Sequence, residues 1–224
     1  MNARLTITNK LIIGFGSVLL VVIANGLVTY STSNTNRKLN EDILNIYNPS
    51  LTGLRECNVM VNNSMMLIKN WVYIDKIPDT PDKRKLQTMH DVQFPKLQSE
   101  LTEMSKNWEE SERDALMLIL TGINDTLFRY HKEIMGSLKS LLDYEDIFIK
   151  MEAEGMVEEG GQIIDVTNKI LEQIEALTEV ISQKTEDANK EMAASFAWFQ
   201  NFVIYSVFII VLLRRVALLC RFTN

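Results

Sequence analysis

Residues 11–30 read LIIGFGSVLLVVIANGLVTY, and residues 193–213 read AASFAWFQNFVIYSVFIIVLL. Neither stretch holds a charged residue. About 20 apolar residues of helix are enough to cross the hydrocarbon core of a bilayer. The two stretches therefore predict two spanning helices, and the rest of the chain is organised around them. All 29 Asp and Glu lie between the two, in residues 31–192. That segment also holds 18 of the 23 Lys and Arg, so its net charge is −11 (18 basic, 29 acidic). Arg4, Lys10, Arg214, Arg215 and Arg221 lie outside it. Basic residues beside spanning helices stay in the cytoplasm. The expected layout is a cytoplasmic tail over 1–10, a span over 11–30, an exported segment over 31–192, a span over 193–213 and a short cytoplasmic tail over 214–224.

An acidic exported segment argues against nucleic acid and anionic lipid as its partners. The two cysteines, Cys57 and Cys220, fall on opposite sides of the membrane in this layout, which excludes a disulfide scaffold. Ala24-Asn25-Gly26 has the small-x-small form of a cleavage site. The apolar run continues past it to Val28, longer than a signal sequence needs, so a retained anchor is expected.

The exported segment reads as four helices. The first runs from about Asn36 to Ile74. Leu44, Tyr47, Leu51, Leu54, Asn58, Val61, Met65, Ile68 and Val72 recur in it at alternating spacings of three and four. Such a heptad seam requires partner helices. Pro78 ends this helix, and Thr80-Pro81-Asp82 reads as the start of the second, with a capping hydroxyl, proline at the first position and an early acid. The second helix runs to about Trp108, with a kink expected near Phe94 because Pro95 lies inside it. Ser111-Glu112-Arg113-Asp114 resembles a capping box. The third helix runs from there to about Gly155 with Leu116, Leu120, Ile123, Leu127, Tyr130, Ile134, Leu141, Phe148 and Met151 on one face. After the Gly160-Gly161 turn, Ile163, Thr167, Ile170, Ile174, Leu177, Ile181, Ala188 and Met192 carry the seam of the fourth. Nothing breaks that helix before the second span, so one rod of about 50 residues and about 75 Å is expected. The fold class is all-α: two transmembrane helices flanking an extracytoplasmic antiparallel four-helix bundle. An even number of helices returns the chain to the membrane it left.

Ile7-Thr8-Asn9-Lys10-Leu11 followed by Gly14-Phe15-Gly16 resembles the start of bacterial methyl-accepting chemotaxis receptors and related sensor kinases. The middle is similar to the four-helix-bundle sensor domain of that family. Asp79-Thr80-Pro81-Asp82-Lys83 and Phe94-Pro95-Lys96-Leu97 look like a subgroup of those domains. The resemblance covers nearly the whole chain. It implies a homodimeric receptor in the bacterial inner membrane that detects a small molecule or periplasmic protein outside and signals inward. The family's second span leads into a HAMP domain and an output module, and this chain stops at Asn224. A sensor half of a histidine kinase fits the same pattern. So does an adaptor membrane protein whose bundle docks a partner.

No GxSxG, P-loop, HExxH or CxxC pattern occurs, and neither catalysis nor a cofactor is expected. His131 and His90 sit on different helices and lack the three or four convergent ligands of a metal site. Asp143, Glu145 and Asp146, like Glu158 and Glu159, read as a solvated face. In the related receptors, arginines on the outer helices hold a ligand carboxylate between subunits. No motif around Arg55, Arg84, Arg113 or Arg129 matches that arrangement, so surface ion pairs are the expected role of each, with ligand binding as the alternative. Asn58, a polar residue on the seam, either sets the register of a dimer or fills a monomeric bundle. Cys57 beside it either approaches its mate across that dimer or is a buried inert thiol. Gln200 and Asn201 are expected to face a neighbouring helix, with Asn25 as a partner. Trp198 and Tyr30 suit the outer membrane interface.

Overall fold

The structure, a computed structural model, describes residues 7–222. Every regular element among the described residues is helical, and no strand occurs. The order is α1 (Ile7–Asp42), a π turn (Ile43–Tyr47), α2 (Asn48–Tyr73), α3 (Pro81–Thr88), a π turn (Met89–Gln93) and α4 (Phe94–Met104). There follow a 3₁₀ turn (Ser105–Asn107), α5 (Glu110–Thr121), a π turn (Gly122–Leu127), α6 (Phe128–Ser137), α7 (Leu141–Glu145), α8 (Ile147–Val157) and α9 (Gln162–Phe222).

Two of the π turns end two residues before a proline, Pro49 and Pro95. Proline offers no N–H, and its ring clashes with the carbonyl four residues back. A locally widened turn moves that carbonyl aside and lets the helix continue. The kink expected near Phe94 therefore takes the form of a π turn. The start of α3 is as the sequence suggests: Thr80 Oγ1 accepts from the Lys83 N–H at 3.3 Å, and Pro81 opens the helix.

The chain divides into two compact units, one of them Leu44–Thr185. Its helices pack around one apolar core in which Leu54, Ile68, Leu86, Leu101, Leu116 and Ile134 are fully buried. All six expected seam positions of α9 within this unit, from Ile163 to Ile181, are buried.

Three expectations are corrected here. The buried face of α2 is wider than the seam drawn on apolarity: Leu51, Leu54, Val61, Ile68 and Val72 of that seam are buried, and Ser50, Cys57, Ser64 and Trp71 join them. Of the expected seam, Leu44 is exposed and Tyr47, Asn58 and Met65 are half-buried. Ser50 and Ser64 qualify because each hydroxyl is satisfied: Ser50 Oγ donates to Ile46 O and accepts from Trp108 Nε1 at 2.9 Å, and Ser64 Oγ donates to Val61 O at 2.8 Å. The capping box before α5 starts at Glu109, whose partner is Glu112, instead of at Ser111. The long third helix is interrupted at Leu138–Ser140, where Ser140 and Asp143 build a second capping box, and again at Asp146, whose carboxylate accepts from the Phe148 and Ile149 N–H groups. These caps turn the chain, so Leu141, Phe148 and Met151 leave the core face and are exposed.

The turn into α9 depends on two glycines. Gly160 has φ +79°, a conformation that suits glycine. A Cβ on Gly161 would clash with Gly155 O and lie 2.7 Å from Met156 O. Gly161→Ala is expected to cost about 1–3 kcal/mol, the usual range for overpacking, because backbone oxygens cannot swing away as a side chain can. Urea unfolding of the full chain in detergent measures this. A midpoint equal to the parent's would show that the turn is not held there.

The other unit comprises the residues through Ile43 and those from Glu186 onward. Among the described residues, two helices are long and apolar enough to cross a membrane, and their most apolar windows are 0% and 6% buried. The core helix of a soluble protein would hide such a surface. Asn25 Nδ2 donates to Ser206 Oγ at 3.0 Å across this unit. Ser206 thus takes the place expected for Gln200 and Asn201, which are exposed. A serine brings its hydroxyl to the partner helix without the bulk of an amide, the usual arrangement where helices approach closely in lipid. Tyr30 and Trp198 are exposed. Of the expected tails, residues 1–6 and 223–224 lie outside the described residues, as does the side chain of Cys220.

Candidate functional site

Three features on α2, α3, α6 and α7 gather the polar chemistry of the Leu44–Thr185 unit. The first is a buried pair of histidines. His90 sits in the π turn before α4 and His131 in α6, and both are buried. His90 Nε2 and His131 Nδ1 are 3.1 Å apart, a hydrogen bond between the rings. His90 also stacks on Phe128 with ring centroids 3.8 Å apart. The outer nitrogens, His90 Nδ1 and His131 Nε2, are buried with no partner. A neutral imidazole has one N–H and one lone pair. Whichever ring donates to the other, one N–H and one lone pair stay unsatisfied, and each such buried group costs about 1–3 kcal/mol. Burial pushes His90 down to about 4, and the nearby Lys132 adds to this. Burial, then His90 itself, pushes His131 well below the ordinary histidine range. Both rings are therefore neutral near pH 7.

The second feature is Lys83, whose residue is only 2% exposed. Its ammonium lies 4.6 Å from the Trp71 ring centroid and 5.2 Å from that of Tyr144, and donates to Tyr144 Oη at 3.1 Å. Aromatic faces carry negative potential that partly replaces lost hydration. The Tyr144 hydroxyl in turn faces Trp71 O at 2.7 Å and Asp75 O at 3.1 Å, and Trp71 Nε1 donates to Leu138 O at 3.1 Å. Burial lowers Lys83, with Asp75 opposing, and raises the Tyr144 phenol, with Asp75 and Asp143 adding. Asp75 Oδ2 is buried without a hydrogen bond. This network ties the end of α2 to the start of α3 and to α7.

The third feature is an open cleft of about 360 Å³ lined by Trp71, Gln87, Lys132, Met135, Leu138 and Lys139, among others. Its floor is apolar and aromatic, and two ammonium groups and an amide rim it. Lys132 follows His131, and Gln87 lies three residues before His90, so the stretches that carry the histidine pair also line the cleft.

The residues singled out from sequence are distributed otherwise. Arg55 is exposed on α2. Arg84 pairs with Asp79 at 2.6 Å, both exposed. Arg113 donates to Trp108 O at 3.1 Å. Arg129 donates to Asp125 O at 3.3 Å and covers the Tyr130 ring at 4.5 Å. Asn58 is half-buried and accepts from Asn62 Nδ2 through both its backbone and side-chain oxygens at 3.0 Å. Cys57, 1% exposed, packs in the core of its own chain. Burial, then Glu56, pushes its thiol up to about 12. Only the thiolate reacts. In a Cys220→Ala background, N-ethylmaleimide at neutral pH should leave Cys57 unmodified until urea unfolds the chain. Rapid labelling of the native protein would contradict the packing of α2.

Sequence spacing does not reveal the histidine pair, because its members lie 41 residues apart on helices whose pairing only the fold decides. No group of three or more His, Cys, Asp or Glu placed to hold a metal ion occurs among the described residues. No family model matches the chain, and neither the curated proteins nor the solved structures contain a match to it.

Proposed function

We propose that this chain is the sensing and anchoring part of a bacterial transmembrane receptor of chemoreceptor type. In this reading α1 and α9 each cross the inner membrane, and residues 31–192 form an antiparallel four-helix bundle outside. A small anionic molecule occupies the Lys132–Lys139 cleft. Its binding shifts α9, which is helical through to Phe222 and carries the movement inward, where a bistable partner element reads it. One observation carries the reading: two exposed apolar helices bracket a helical unit that has a buried core of its own. The resemblance of the N-terminal residues supports the receptor class. The exposed apolar face of α8 favours a second reading, an adaptor that docks a partner protein.

Thermal melts of the detergent-solubilised full chain test the proposal against a panel of millimolar amino acids and dicarboxylates. A ligand at 100 times its Kd stabilises by about 2.7 kcal/mol. At least one compound should raise the melting temperature, and Lys132→Ala with Lys139→Ala should abolish the rise. A panel without effect, or a rise that survives both substitutions, would remove the cleft as the ligand site.

A further inference from the structure

The helix α8 has two faces of opposite kind. Ala153 and Val157 pack into the core. Ile147, Phe148 and Met151 point away, 69%, 85% and 65% exposed. Their spacing of three and four residues puts all three on one stripe of the helix. Single exposed apolar residues are ordinary, but three large side chains on one stripe, this far exposed, form an unpartnered apolar face. The charge around that face is one-sided. Residues 141–161 hold seven Asp and Glu and one basic residue, Lys150, which is paired with Glu154 at 3.6 Å. A second cleft of about 360 Å³ opens between α6 and the α8–α9 turn, lined by Glu133, Glu152, Gly155, Gly161 and Gln162. Neither Glu133 nor Glu152 has an ion-pair partner among the described residues, and Glu152 follows Met151 on α8.

We propose that this face of α8 docks a cationic amphipathic polypeptide, with large apolar side chains on Ile147, Phe148 and Met151 and a Lys or Arg in the Glu133–Glu152 cleft. The sign of the charge selects this occupant. A second copy of the same face would set acid against acid. An anionic lipid surface would be repelled in the same way. A basic helix with apolar side chains on one face satisfies the apolar stripe and the carboxylates together, as helix-in-groove recognition requires.

The probe is a fluorescent Lys/Leu amphipathic peptide of four helical turns, titrated against the full chain in discs of zwitterionic lipid, with empty discs as the blank. Phe148→Ser with Met151→Ser should raise the Kd at least tenfold. Glu133→Gln with Glu152→Gln should do so as well, and should flatten the salt dependence. All four positions are exposed or line the open cleft, so the fold should survive, and a circular dichroism melt checks this. Glu172→Gln with Glu175→Gln, exposed carboxylates on α9, should leave the Kd unchanged. Equal weakening by the α9 pair would reduce the effect to general charge attraction and overturn the proposal. No peptide binding, together with self-association abolished by Phe148→Ser, would assign the face to a second copy instead. Binding of the parent to discs containing anionic lipid, lost in the Phe148 variant, would assign it to the membrane.

Discussion

Lowering the pH from 7 to 4 should destabilise the Leu44–Thr185 unit by about 3 kcal/mol through His90 alone. An unfolded histidine titrates near 6.5, whereas folded His90 is held near 4 by burial. Above 6.5 both states carry a neutral ring, and the stability is fully present. Below 6.5 the unfolded chain takes up a proton that the folded chain refuses, so stability falls as the pH drops towards 4. His131, pushed down by burial and by His90, adds a loss of the same sign. Urea unfolding of the full chain in detergent at pH 7 and pH 4 reads the total. Carboxylates contribute too, so the decisive comparison is His90→Gln with His131→Gln, which keeps two amides able to bond each other and removes the titration. The pH dependence should shrink by at least the His90 share. An unchanged dependence would mean that the rings are protonated without cost and the pair is not buried.

Leu177→Ala should cost about 2–5 kcal/mol, the range for buried leucines. Leu177 is 4% exposed and lies in the same seam as Ile174 and Ile181. Neighbouring side chains of a close-packed core collapse only in part around the gap. Thermal melts of the full chain measure the loss. A melt like the parent's would mean that α9 is not packed into the core at that level.

These two predictions differ in how far the sequence foretells them. Leu177 is legible because α9 keeps an unbroken three-four spacing of strongly apolar residues, and helical period alone places them on one face. The Thr80-Pro81 start of α3 is legible for a similar reason: its signal is local. The seam of α2 is legible at Leu51, Leu54, Val61, Ile68 and Val72, but its buried face also takes in Ser50 and Ser64, which do not look apolar. The burial of the two serines depends on bonds to Ile46 O, Trp108 Nε1 and Val61 O, two of them within the helix or its π turn and one across the core. The breaks in the third helix are hidden because Ser140 and Asp146 are common surface residues until their side chains cap a turn. The His90–His131 pair and the Lys83–Trp71–Tyr144 network cannot be read at all. Each joins residues far apart in the chain, and helix pairing rather than spacing decides who meets.

In the proposed layout, two spans hold the acidic domain outside the cytoplasm. Lys76 lies exposed in the loop between α2 and α3, and a cysteine there tests it most directly. Lys76→Cys is expressed in a Cys220→Ala background and exposed to a membrane-impermeant maleimide, first in intact spheroplasts and then after lysis. Full labelling of the introduced thiol before lysis is the predicted result, with native Cys220 in the parent labelled only after it. Labelling of the Lys76→Cys variant only after lysis would contradict the exported domain and the receptor reading built on it.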